Sequence, residues 1–259
     1  MKIDDVPIQG EILEHTGKVI MSDLEDVDLA VGHQILSAIN TLAIHAPHIG
    51  SGHPRYKTTK TIKDFLNRAP EDQLAYGVFD SPKSFLKELA KDAGEQDKKE
   101  KLLAKLPMLY LSRDQSISFS DTDADKVNVH QLKDGTGKVM GDVDAYYPVL
   151  NYSLTIVSWH KESMSMLASH LLTYFRERMR KGKRTFKSEL YLAGVKLVFD
   201  WSFQDGLTYM GSNISEPFSE DRLNAMTIDV IVKATAYKLR IAKAFQARLI
   251  GRPAHEQTK

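Results

Sequence analysis

The sequence predicts an α+β fold in which a mixed or antiparallel β-sheet is packed by one long central helix. Three observations carry this. Across 150–156, Leu150, Tyr152, Leu154 and Ile156 alternate with Asn151, Ser153 and Thr155, the period of a strand with one buried face. Met164, Leu167, Ala168, Leu171, Leu172, Phe175 and Met179 then recur at spacings of three and four, one stripe of a helix over about 161–181 that Gly182 stops. After a basic turn, Val195, Leu197, Phe199, Trp201 and Phe203 alternate with residues that include Lys196, Asp200 and Ser202, which restores a strand. The helix stripe and the strand faces are the halves of one core.

The remaining elements are placed around that unit. Residues 1–24 lack a sustained period and read as an arm with a short strand or turn around 11–17. Asp26 or Asp28 supplies an N-cap for a helix carrying Leu29, Val31, Ile35, Leu36, Ile39 and Leu42, ending before Pro47. Residues 46–60 read as an exposed loop, followed by a short helix at 61–67 and a strand at 74–79. Asp80 or Ser81, with Pro82 next, starts a helix bearing Phe85, Leu86 and Leu89. The charged run 95–101 is a solvated helix face leading to Pro107. A strand over 108–119 and a long connection or extended hairpin over 121–144 deliver the chain to the central unit. Beyond it come a polar loop at 207–221, a strand at 223–233 with Met226, Ile228, Val230 and Val232 alternating, and a basic C-terminal helix at 237–250 with Leu239, Ala242, Phe245 and Leu249 at helical spacing. The chain therefore divides into an acidic arm (1–25), one α+β domain (26–237) and a basic tail (238–259).

Composition narrows the class. With 259 residues, 42% hydrophobic and 27% charged, the chain is globular. No apolar run approaches the ~20 residues needed to span a bilayer, and residues 1–10 carry acids instead of a signal-peptide pattern. Cysteine is absent, so disulfides, thiolate metal sites and cysteine nucleophiles are excluded, a usage that suits a reducing cytoplasm. The net charge of +1 hides a polarity: residues 1–30 hold eight acids against Lys2 and Lys18, and residues 238–259 hold six bases against Glu256. Such ends either pair, within a fold or between copies, or stand as two solvated termini.

Few motifs point to chemistry. The DTDAD run at 121–125 starts like a calcium loop, yet Lys126 stands where the turn glycine belongs and Leu132 where the closing glutamate belongs, so it reads as an acidic turn. His45, His48 and His53 crowd one segment without an interleaved carboxylate or cysteine and read as an exposed histidine loop. GTGK at 135–138 lacks the Ser or Thr and the upstream glycine of a phosphate loop. It is a turn. His160 and Glu162 fit helix capping and dipole compensation better than an acid/base pair. No catalytic constellation, metal site or cofactor motif is expected.

The basic cluster is more informative. Arg176, Arg178, Arg180, Lys181, Lys183 and Arg184 crowd the end of the central helix against Glu177 alone. Compensation of exposed carbonyls accounts for about two of them. The excess suggests an acidic partner, either a protein surface or a nucleic-acid backbone, and a solvated helix end is the plainer alternative. No aromatic residue is interleaved, which disfavours specific single-strand recognition. Lys238, Arg240, Lys243 and Arg248 are the corresponding docking candidates of the C-terminal tail.

Four segments in order, LPMLYLS (106–112), YPVLNYSLTIVSWHKESMSMLASHLLTYFR (147–176), TFKSELYLAGVKLVFDW (185–201) and RLNAMTIDVIVKATAY (222–237), resemble the tail-terminator and sheath-stabilising proteins of tailed bacteriophages. The likeness covers about 26–237 and includes Tyr174 and Phe175 as the aromatic pair closing the helix. It implies a tail-terminator-like fold and a non-enzymatic virion protein, assembled in the host cytoplasm into a homohexameric ring. Such a ring ends the tail tube, and the sheath where there is one, and joins it to the neck below the portal. Genomic DNA passes through its lumen without sequence recognition, past Arg176, Arg178, Arg180, Lys181, Lys183 and Arg184 as lumen or interface candidates. The alternatives are a neck or head-completion connector and, from another class, a nucleic-acid-binding protein using the 176–184 patch.

Overall fold

The computed structural model describes residues 8–44, 48–79, 81–91, 105–119, 126–203, 213–218 and 221–249. Its elements in chain order are β1 (Ile8–Met21), α1 (Glu25–Ile39), α2 (Tyr56–Leu66), α3 (Pro70–Gln73), β2 (Leu74–Tyr76), α4 (Pro82–Lys91), β3 (Met108–Phe119), β4 (Lys126–Lys133) and β5 (Val139–Tyr146). They continue with β6 (Pro148–Ser158), α5 (Lys161–Arg180), β7 (Thr185–Leu192), β8 (Val195–Phe203), β9 (Asn213–Phe218), β10 (Asp221–Ala234) and β11 (Ala236–Leu249). The class is α+β. A four-stranded antiparallel sheet has the order β1-β11-β5-β4, and a larger mixed sheet the order β2-β3-β6-β10-β8-β7 with β9 beside β10. Among the described residues only β2 on β3 is parallel.

One two-stranded ribbon belongs to both sheets. In the larger sheet β10 pairs with β6 from Asn224 opposite Ser158 to Lys233 opposite Val149. In the smaller one β11 pairs with β5 from Ala236 opposite Tyr146 to Ile241 opposite Gly141. The register is the same on both sides, so the two long strands turn the corner together at Tyr147 and Thr235 without inserting a residue. Three strands succeed one another along the free edge of β10 and β11. β9 lies against Asp221–Met226, β8 against Val232–Ala234, and β1 against Lys238–Leu249. At the corner the Thr235 amide donates to the Asp200 carbonyl at 2.8 Å, and Ser22 and Tyr237 exchange hydrogen bonds where β1 begins to pair.

The central helix behaves as its stripe predicts. Met164, Leu167, Ala168, Leu171 and Phe175 of α5 are buried in a core shared with Leu150, Tyr152, Leu154 and Ile156 of β6, Met226 to Val232 of β10, the inward residues of α1 and α2, and Leu132, Val143 and Leu239 of the smaller sheet. Where α5 meets the end of α1, His170 Nε2 donates to the Ala38 carbonyl at 2.9 Å, an oxygen that also accepts the Thr41 hydroxyl at 2.6 Å. The opposite face of the large sheet carries a second core, in which Phe85 and Leu86 of α4 cover Met108, Tyr110, Val157 and Ala225. α4 starts at Ser81, whose hydroxyl accepts from the Ser84 amide while Ser84 Oγ accepts from the Ser81 amide, a reciprocal cap.

Several expectations are corrected. The basic C-terminal helix is the strand β11. Tyr237, Leu239 and Ile241 alternate with Lys238 and Arg240, and pairing with β1 and β5 on its two edges rewards the period of two over the period of four. Its partner β1 is a full strand where an arm with a short strand was expected. The acidic and basic ends therefore meet inside one chain, with Glu14 opposite Lys243 in the register, so neither is an appendage of the 26–237 unit. The 207–221 loop contains β9, and α2 begins at Tyr56, inside the expected loop. The run 95–101 lies outside the described residues. Among the described residues no helix is long and apolar enough to cross a membrane.

Gly141 marks the point where β11 leaves β5. Its φ is +156° and a Cβ there would lie 1.9 Å from the Arg240 carbonyl oxygen, so only glycine admits the approach. Gly141→Ala is expected to destabilise the fold by roughly 1–3 kcal/mol in denaturant unfolding, whereas Gly135→Ala, with open space around its Cβ, should leave the midpoint within error.

Candidate functional site

The end of α5 is built by its backbone. Gly182 takes φ +72°, its amide donates to Met179 O and the Lys183 amide reaches back to Arg178 O, a Schellman turn that needs the left-handed residue glycine supplies. The turn sets six cations around one helix end, and the structure divides them. Arg176, Arg180, Lys181, Lys183 and Arg184 are exposed, and none makes an ion pair among the described residues. Arg178 is half-buried, with Cζ 4.3 Å above the Phe186 ring. Phe186 in turn stacks on Trp201 at 4.5 Å and 20°, and Trp201 Nε1 donates to Ser188 Oγ at 3.0 Å.

This stack adjoins a cleft of about 730 Å³ between α1 and β7, bordered by Leu29 and His33 on one side and Lys187 and Glu189 on the other. The acids at its mouth are already engaged. Asp26 Oδ2 accepts the Tyr191 amide at 3.0 Å, and Glu189 pairs with Lys196 at 2.6 Å. The Nε–H of Arg178 is buried and has no acceptor among the described residues.

A second polar arrangement fixes α1 to the large sheet. Tyr152 of β6, buried, donates its hydroxyl to Asp28 Oδ1 at 2.7 Å, and Arg113 Nε lies 2.9 Å from the same carboxylate. Arg113 stands where the β3–β6 register shifts, and a cleft of about 400 Å³ opens beside it against Tyr76 and Val78. Neither Asp26 nor Asp28 caps α1. The cap position is Leu24, without a side-chain bond, and Asp23 Oδ1 accepts the Glu25 amide instead. Both expected caps reach across the fold, a use that a linear sequence does not reveal.

Two of the C-terminal docking candidates, Lys238 and Arg240, are engaged inside the smaller sheet. Arg240 Nε lies 2.9 Å and Lys238 Nζ 3.8 Å from Asp144, whose side chain is 8% exposed. Lys243 and Arg248 stand on β11 opposite Glu14 and Gln9. The GTGK segment is the β4–β5 turn, wrapped around Asp134, whose carboxylate accepts from the Thr136 hydroxyl and the Thr136 and Lys138 amides. The Thr136 hydroxyl, and then the Lys138 amide, hold that carboxyl below its ordinary pKa. His48 and His53 meet edge to face at 6.0 Å, and His53 Nδ1 accepts the Arg55 amide. His45 and the DTDAD run lie outside the described residues. His160 occupies the cap position of α5 without a side-chain cap bond, and Glu162 is in the first turn. Among the described residues no group of three or more metal-ligating side chains comes together.

No protein-family model and no curated protein matches the chain.

Five tyrosines are raised above their ordinary pKa chiefly by burial: Tyr76, Tyr110, Tyr146, Tyr152 and Tyr237. A raised folded pKa means the folded state keeps a proton the unfolded chain releases, so this stability is whole below about pH 10 and is lost as pH rises beyond it. Alkaline titration is expected to show the tyrosinate absorbance of Tyr152, which is buried and bonded to Asp28, only on unfolding. Tyr152→Phe should cost roughly 1–3 kcal/mol at neutral pH through the lost bond to Asp28, and should make the alkaline fall in stability shallower.

Proposed function

We propose that this chain is a non-enzymatic virion structural protein of a tailed bacteriophage, a subunit of a homohexameric ring at the head-proximal end of the tail. In this reading the ring terminates the tail tube, and the sheath where there is one, and joins it to the neck while the genome passes through its lumen. The observation that carries the reading is the way the four tail-terminator-like segments fold together. β3 and β10 flank β6, α5 lies over that sheet, and the β7–β8 hairpin closes against β10. The order of strand, long helix, hairpin and closing strand is that of the family the sequence resembles. A ring also needs two unlike patches on each subunit, and the exposed cations of α5 supply one of them.

The test is electron microscopy of the purified full chain, alone and mixed with purified tail tubes. Six-fold rings, or a six-fold cap on the tube end, are expected; a monomer at every concentration that leaves tube ends bare would overturn the reading. Truncation at either end does not separate assembly from folding, since removal of residues 1–20 strips β1 and loss of 238–259 strips the strand between β1 and β5. The five exposed cations of 176–184 favour a second reading, a nucleic-acid-binding protein. That reading expects duplex affinity to fall steeply with salt, with a log–log slope that shrinks by about one for each phosphate-contacting cation removed, and a ring with a passive lumen expects weak binding throughout.

A further inference from the structure

We propose that the cleft between α1 and β7 is a docking site for an extended, acidic segment of a partner protein. The inference stands apart from the ring assignment, because it concerns the chemistry of the cleft whichever particle the chain belongs to.

The first argument is the guanidinium. Arg178 is held flat on Phe186, which is held on Trp201, which is held by Ser188. A planar cation fixed on an aromatic ladder is oriented before any ligand arrives, so little side-chain entropy is lost on binding. The residue is half-buried, so its guanidinium is partly open to the cleft it lines. The second argument is charge. Glu189 is paired with Lys196, and Asp26 accepts only the Tyr191 amide and keeps its charge, whereas Arg178 and the exposed Lys187 make no ion pair among the described residues. With Lys196 included, three cations (Arg178, Lys187, Lys196) stand against two acids (Asp26, Glu189) around the cleft.

The third argument is the backbone of β7, an edge strand of the large sheet. The Tyr191 amide points away from β8, since it donates to Asp26. Amides two residues apart on a strand point the same way, so those of Thr185, Lys187 and Glu189 also face the open side, beside the cleft they line. An edge of this kind takes up an added strand through main-chain hydrogen bonds, while pockets beside it select alternate side chains. An acidic side chain from such a strand meets Arg178, and an apolar neighbour meets Leu29, half exposed at the rim. A phosphate backbone fits less well, because it offers no amide to the strand edge.

The experiment measures binding of a synthetic fluorescent peptide alternating glutamate and valine to the full chain by anisotropy. Its lysine–valine counterpart and a short DNA duplex serve as comparisons. The acidic peptide is expected to bind in a salt-sensitive manner and the lysine peptide not to. Arg178→Met should weaken binding roughly ten- to hundredfold, Lys187→Glu, on the exposed face and without a packing role, should weaken it several-fold, and Arg184→Ala, outside the cleft, should leave it unchanged. Near-ultraviolet circular dichroism of the Trp201 environment checks that each variant is folded, and Lys187→Glu carries the test if Arg178→Met is not. Equal binding of the acidic and lysine peptides, unchanged binding in both cleft variants, or displacement of the peptide by duplex at lower concentration would each overturn the proposal.

Discussion

Everything in this fold depends on one constraint: two strands that leave one sheet together and enter another in unbroken register. The ladder from Asn224 opposite Ser158 to Ile241 opposite Gly141 fixes where every other strand goes. β3 and β4 attach to its β6 and β5 edge, and β9, β8 and β1 to its β10 and β11 edge. Because side chains alternate along a strand, a slip of one residue anywhere in the ribbon would invert the burial pattern of both sheets at once. The corner at Tyr147 and Thr235 is stabilised by the large sheet itself, through the hydrogen bond from Thr235 to Asp200, and glycine at 141 allows the far end to part.

Charge follows the same logic of internal closure. Two of the eight acids in the first thirty residues are used at long range: Asp26 on the amide of Tyr191, Asp28 on Tyr152 and Arg113. At the other end, Arg240 and Lys238 converge on Asp144. At the end of α5 five cations face water and make no ion pair among the described residues.

The central unit was legible because its signals are local. Alternation at 150–156 and 195–203 and the three-four stripe of 161–181 each report a face, and the core supplies the matching one. The strand at 223–233, the helix after Ser81 and the turn at 135–138 were readable for the same reason. The termini were not. β1 has little period of its own, and the residues of β11 fit a helix as well as a strand, so pairing partners more than two hundred residues away decide both. The basic cluster was visible as a cluster, but its division into five solvated cations and one stacked on Phe186 was not, because that depends on where β7 returns beneath α5. Asp26 and Asp28 stand where caps belong and are drawn elsewhere by tertiary partners.

The pairing of β1 with β11 has a temporal side. On the ribosome β1 emerges before every other element of the fold, yet the strand it pairs with is the last of them to be made, so it waits unmatched while the rest is synthesised. The larger sheet, whose strands lie between, can gather in the meantime. Closing the smaller sheet is thereby a late, long-range event, the kind of contact that slows the final approach to the native state.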